Sequence, residues 1–263
     1  EQNQINATYF EFGTVLAFLY FFESGCEWNV IEVGMGGRLD STNLCHAQVM
    51  ILTSISRDHE SSLGSEPVQI AAEKAAIIKP GGTVIAGSME KPVMDVIHSY
   101  ANKADCPVFS LGRDFKVKTL RRDPNGQAFD WSDGGGTLSA LKIQLVGEFQ
   151  IDNAALAIAA TRQALQSTGA SLEENAIRTG LNTAVWPGRI EVAEHSPLLV
   201  LDCAHNPDSV KKLTRAVEDH FRFDRCLVVL GIMQDKDLLK VVEIIGNFAD
   251  EVILTQPKME RSA

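Results

Sequence analysis

The feature that most constrains this chain is an alternation. Short apolar runs rich in β-branched residues are separated by longer segments of helical period. Residues 29–33, 49–53, 83–86 and 107–109 read as buried strands, and residues 12–22, 67–78 and 91–103 as helices. Strand, helix, strand at this spacing requires right-handed crossovers, and therefore a parallel sheet with helices on its faces. A carboxylate or a glycine loop at the carboxyl end of such a strand sits where open α/β sheets bind ligands.

The pattern changes after Gly112. Residues 114–145 are polar, alternating and turn-rich, with Asp123-Pro124-Asn125-Gly126 and Asp133-Gly134-Gly135-Gly136, which predicts antiparallel hairpins. Helices are predicted over 151–168 and 171–183, the second opened by Ser171 and Glu174 as a capping box. Trp186-Pro187-Gly188-Arg189 then reads as a hinge. Beyond it the alternation restarts, with strands at 198–202, 226–230 and 251–255 and helices at 207–220 and 238–247. A boundary near Val185 gives domains over 1–183 and 187–263. If these are separate units, few apolar contacts should cross between them.

Composition excludes several classes. With 24 Lys plus Arg against 34 Asp plus Glu, the net charge of −10 disfavours a nucleic-acid partner. No apolar run reaches the roughly eighteen residues of a membrane span. The start, Glu1-Gln2-Asn3-Gln4, has no basic residue and is unlike a secretory signal. The five cysteines are odd in number and never in a CxxC pair, so they predict neither a disulfide frame nor a zinc site. A soluble, cytoplasmic protein is expected. The chain begins just before a helix and stops just after a strand, and on this ground it is expected to be an internal piece.

Four constellations bear on chemistry. Glu32-Val33-Gly34-Met35-Gly36-Gly37-Arg38-Leu39-Asp40-Ser41-Thr42-Asn43 joins a strand-end carboxylate to a glycine-rich loop; Glu32 reads equally as a ligand or as a turn residue. The loop lacks the order GxGxxG and the order GxxxxGK[ST], so it is neither a dinucleotide fingerprint nor a Walker A loop. His59, after the second strand, is by itself an ordinary polar loop residue, but its place allows it to meet Glu32. Lys74 lies among Ala71, Ala75, Ile77 and Ile78, where a lysine either snorkels or is held in a polar site and modified. In Asp202-Cys203-Ala204-His205-Asn206-Pro207, Asn206 and Pro207 suit a helix N-cap and first turn, whereas Asp202 and His205 fit nucleotide contact. Arg189 is either a surface cation or a phosphate ligand.

In order and spacing, these motifs together with Glu73-Lys74-Ala75 and Ile77-Ile78-Lys79-Pro80-Gly81, Gly147-Glu148-Phe149-Gln150 with Asn153-Ala154, and Pro187-Gly188-Arg189 closely resemble the folylpolyglutamate synthase/dihydrofolate synthase family of Mur-type ligases. The resemblance runs from about Thr8 to the last residues. It implies an α/β fold: a P-loop-type central domain with a mainly parallel sheet, lacking its P-loop strand, then a smaller, incomplete Rossmann-like domain. It also implies ATP and Mg²⁺ as cofactors, with Glu32, His59 and a carbamylated Lys74 at the metal. Thr8, Tyr9, Phe10, Glu11, Leu39, Asp40 and Ser41 match pterin or folate positions; Asn153, Arg189, Asp202 and His205 match ATP contacts. Phe149 departs from the family's usual histidine. The implied reaction adds L-glutamate to dihydropteroate or a reduced folate through an acyl phosphate, in a monomer with small-molecule partners only. The rivals are a ligase acting on a UDP-linked cell-wall peptide and a catalytically silent nucleotide-binding fragment. Without a P-loop in these residues, the bare chain is expected to bind ATP poorly and not to turn over.

Overall fold

The structure, a computed structural model, describes residues 6–55, 64 and 66–256. The chain forms two compact units, one of Glu1–Ile85 with Met89–Val108 and one of Ala86–Ser88 with Phe109–Ala263. It is a mixed α/β fold. No helix of the described residues is long and apolar enough to cross a membrane.

The first unit opens with α1 (Tyr9–Glu23). A three-stranded sheet follows in the order β1 (Val49–Leu52), β2 (Thr83–Ala86), β3 (Val108–Ser110), with α2 (Pro67–Ala75) and α3 (Lys91–Lys103) in the connections. Helical spacing on α2 and α3 puts Ala71, Ala75, Val93, Ile97 and Ala101 into one core with Met50, Leu52 and Val84. Helix α2 ends at Ala75, three residues short of the predicted end, and Pro80 lies just beyond, where a continuing helix would clash.

One predicted strand is absent. Residues 29–33 form no strand and pair with no other strand among the described residues, and Val30 is 97% exposed. A β-branched run becomes a strand only where another backbone accepts its hydrogen bonds, and none is supplied among the described residues.

In the second unit, β4 (Phe115–Asp123), β5 (Gly126–Asp133) and β6 (Gly136–Ile143) form the expected antiparallel meander. Helix α4 (Glu148–Gln166) packs on β4 and β5, and α5 (Glu174–Thr183) on β6. Phe129 and Trp131 are fully buried, and Arg162 lies 4.6 Å over the Trp131 ring while pairing with Asp133 at 2.7 Å. The predicted cap at Ser171 does not form. Its hydroxyl donates to the Glu173 carboxylate instead (3.1 Å), and Glu173 becomes the N-cap.

The alternation then restarts. The hairpin β7 (Glu191–His195) and β8 (Leu198–Leu201) leads into α6 (Pro207–His220), β9 (Leu227–Leu230), α7 (Leu238–Phe248) and β10 (Glu251–Leu254), with β9 and β10 parallel. The polar, exposed β7 is absent from the sequence expectation. Helices α6 and α7 close a small core of Val210, Val241 and Ile245.

The expectation of few apolar contacts across Trp186 is not met. Val146 packs with Ile190, Ala216 and Phe221 in one buried cluster, with Phe149, Val192, Val200 and Leu213 around it. The end of α6 presents an apolar face, and the turn before α4 covers it.

Candidate functional site

In the first unit, the residues singled out by sequence lie along a polar-stapled loop. Thr8 and Glu11 cap α1 reciprocally: the Thr8 N–H and hydroxyl donate to the Glu11 carboxylate (2.7 and 2.8 Å), and the Glu11 N–H donates to the Thr8 hydroxyl (3.2 Å). The Thr8 backbone N–H, then its hydroxyl, hold the Glu11 pKa below the ordinary value. Tyr9 is 94% exposed, whereas the Phe10 ring lies over Gly34 so closely that a Cβ there would meet it at 2.3 Å. The Thr14 and Ser41 hydroxyls meet at 2.8 Å, tying α1 to the 3-10 turn Ser41–Leu44.

Asp40 organises that turn. Its carboxylate accepts from the Met35 N–H (2.8 Å), the Thr42 N–H (2.9 Å) and the Thr42 hydroxyl (2.5 Å). Partial burial opposes the charge, but the Thr42 hydroxyl and the Met35, Thr42 and Gly34 N–H groups outweigh it and lower the Asp40 pKa. Leu39, beside it, is 82% exposed.

The loop is fastened to the end of α2. The Arg38 N–H donates to the Glu73 carbonyl (3.0 Å), and its guanidinium pairs with the Glu73 carboxylate (3.0 Å). Gly37 is required: a Cβ would lie 2.6 Å from the Glu73 carbonyl oxygen and 3.1 Å from that of Lys74. The Lys79 ammonium donates to the carbonyls of Asn43 and Cys45. Thus the Gly36–Gly37 loop and the Lys74 turn touch, five residues beyond Glu32. Glu32 is exposed and makes no hydrogen bond or ion pair with a described residue; Lys74 is half-buried. His59 lies outside the described residues, and among those described no group of three His, Cys, Asp or Glu side chains is arranged to hold a metal.

A second constellation lies in the other unit. Asp202 accepts from the Ile190 N–H (2.9 Å) and the Ala204 N–H (2.7 Å), and the Cys203 N–H donates to the Gly188 carbonyl (3.0 Å). These bonds strap Pro187-Gly188-Arg189 to the end of β8, so Arg189 and Asp202 share one edge. His205 Nδ1 is 2.9 Å from the Cys203 carbonyl, which fixes the ring. Asn206 caps α6 and Pro207 opens it, as the motif predicts, and Ser209 completes the cap reciprocally. On α4, the exposed Asn153 amide donates to the buried Gln150 oxygen (3.1 Å). Phe149, at the departure from the family pattern, packs against the apolar cluster of Val146, Ile190, Ala216 and Phe221. Glu73 was passed over by sequence reasoning as a partner of Arg38; a 35-residue separation carries no local signal.

Residues 2–161 match the Mur ligase middle domain, and residues 188–263 the Mur ligase glutamate ligase domain. A folylpolyglutamate synthase of Lacticaseibacillus casei is 36% identical over 237 residues, covering 90% of this chain and 55% of the relative. A solved folylpolyglutamate synthase with AMPPCP and folate superposes with a TM-score of 0.92 at 35% identity, over 97% of this chain and 62% of the other. Escherichia coli FolC in complex with DHPP and ADP gives 0.89 at 33% identity, over 99% and 60%. The chain therefore spans little more than half the length of the curated relatives it matches. It belongs to the Mur ligase family, carrying the middle domain and the glutamate ligase domain, with strong similarity to folylpolyglutamate and dihydrofolate synthases.

Proposed function

We propose that this chain is part of an ATP-dependent ligase that joins L-glutamate to dihydropteroate or a reduced folate, acting as a cytoplasmic monomer. The observation that carries the reading is the superposition over 97% of the chain on a synthase holding an ATP analogue and folate. The two functional domains are assigned to residues 1–183 and 187–263.

The substrate carboxylate attacks the γ-phosphorus of ATP and ADP leaves. The amino group of glutamate then attacks the acyl phosphate, and the tetrahedral intermediate expels phosphate. The segment Thr8-Tyr9-Phe10-Glu11 and the loop Leu39-Asp40-Ser41 receive the pterin. Asp40 and Glu11 do this as fixed anions, since their hydrogen bonds favour the charged form. Asn153, Arg189, Asp202 and His205 hold the nucleotide, with Arg189 on phosphate.

The donor set suits a hard cation in kind: Glu32 offers an exposed carboxylate without a partner among the described residues, and carbamylation would convert Lys74 from a cation into an oxygen ligand. With His59 these residues would hold Mg²⁺, which supplies charge neutralisation at the transferred phosphoryl group.

The test is ADP release by the intact gene product. Release should require both a pterin carboxylate and L-glutamate, and Glu32→Gln should abolish it. Turnover with a UDP-linked peptide in place of the pterin would assign a cell-wall ligase, and nucleotide binding without turnover a silent module.

A further inference from the structure

Among the described residues three non-glycines have a positive φ, and Ile190 is the β-branched one of them, at 49°. There a branched Cβ crowds its own backbone, so such a conformation persists only where the surroundings over-determine it. Ile190 has three anchors. Its side chain is 3% exposed and packs with Val146, Ala216 and Phe221. Its N–H donates to Asp202 Oδ2 at 2.9 Å. The next residue, Glu191, is already in register with Leu201 as β7 begins.

Arg189 is held from its other side too. Gly188 is left-handed at a φ of 70°, its N–H donates to the Glu191 carboxylate (2.8 Å), and its carbonyl accepts from the Cys203 N–H (3.0 Å). Asp202 divides its two oxygens between the Ile190 N–H and the Ala204 N–H (2.7 Å). The backbone on each side of Arg189 is thus tied to the end of β8. The Arg189 side chain itself is exposed and makes no hydrogen bond or ion pair with a described residue.

We propose that Ile190 is a positioning residue for Arg189, its buried side chain anchoring a latch that Asp202 closes. A guanidinium on a long, flexible stem binds an oxyanion more tightly when its backbone is already fixed, because less freedom is lost on binding. The left-handed turn gives that fixity, and the burial of Ile190 maintains it. Trimming the side chain removes the anchor, and the turn relaxes toward the backbone conformations that alanine prefers. The latch follows from these contacts; that the oxyanion is a phosphate of ATP rests on the ligase reading.

The test uses the intact gene product, with ATP and Mg²⁺ as the probe. Ile190→Ala should raise the ATP Kd by about tenfold, the equivalent of one charge-assisted hydrogen bond out of line. Ile190→Val, which keeps a branched apolar anchor, should bind ATP as the wild type does. The Kd for the pterin substrate, measured without nucleotide, should not move, whereas general destabilisation would weaken both. In an Arg189→Ala background, Ile190→Ala should weaken ATP binding no further. An unchanged ATP Kd in Ile190→Ala, or an equal loss with and without Arg189, overturns the proposal.

A second measurement decides even if the variant does not fold. In the wild-type NMR spectrum, Ile190 should give the strong intraresidue amide–Hα Overhauser effect of a positive φ, and its amide should exchange slowly. A negative φ or fast exchange there overturns the latch. If the wild type binds no ATP, the ligase reading fails, and the Overhauser and exchange data decide the latch alone.

Discussion

The loop region of the first unit and the meander of the second are held by different forces. Between Thr8 and Cys45, order comes from polar bonds: the Asp40 side chain to the Met35 and Thr42 backbone, the Lys79 side chain to the Asn43 carbonyl, and the Arg38–Glu73 ion pair. Its large apolar groups stay outside, with Phe12 at 63% and Phe22 at 85% exposure. In the meander, Phe129, Trp131 and Leu141 are sealed beside α4. Polar staples fix geometry at modest stability, whereas apolar packing supplies the stability and tolerates no shrinkage. The residues assigned to pterin binding thus sit on the region that is easier to deform.

The contrast can be broken first at its strong end. Phe129→Ala should cost about 3–5 kcal/mol in urea unfolding, while Phe12→Ser should stay within about 0.5 kcal/mol; similar losses at both would erase the distinction. Next, Asp40→Ala leaves the Met35 and Thr42 donors unmet, a local cost of about 1–3 kcal/mol. Amide exchange should accelerate at those residues and remain unchanged in β5. Because the folded Asp40 pKa is depressed, this contribution is present above the ordinary aspartate range and is lost as pH falls through the lowered value. The Asp40→Ala difference should therefore vanish in acid.

Arg38→Ala should cost only about 0.2–1 kcal/mol through its half-exposed ion pair, with most of the effect gone at 1 M salt. The smallest effect is a gain. Burial, reinforced by the Glu148 charge, raises the Asp152 pKa despite Lys212. A raised carboxylate favours the fold below its unfolded pKa and opposes it as pH rises through the folded value. Asp152→Asn should thus raise the thermal midpoint slightly at neutral pH and leave it unchanged in acid.

The sequence made the periodic elements legible. Helices α3 and α6 begin and end at the predicted residues, because Pro92 and Pro207 open them and the apolar spacing continues through each. Strand 29–33 failed because pairing depends on a neighbour that local composition cannot report. The loop at 34–43 was legible as a motif but not as a structure: the partners of Arg38 and Asn43, at Glu73, Ala76 and Lys79, lie more than 30 residues away. The contact between Gln127 and His220 was invisible for the same reason, since 93 residues separate two side chains that look unremarkable alone.

The most direct test of the proposed chemistry follows oxygen. Substrate labelled with ¹⁸O in the reacting carboxylate should deliver one labelled oxygen to the phosphate released on glutamate addition, because that carboxylate bonds to phosphorus before the amide forms. Phosphate without label, alongside full amide formation, would contradict the acyl-phosphate route and with it the assignment of this chain as a glutamate ligase of that type.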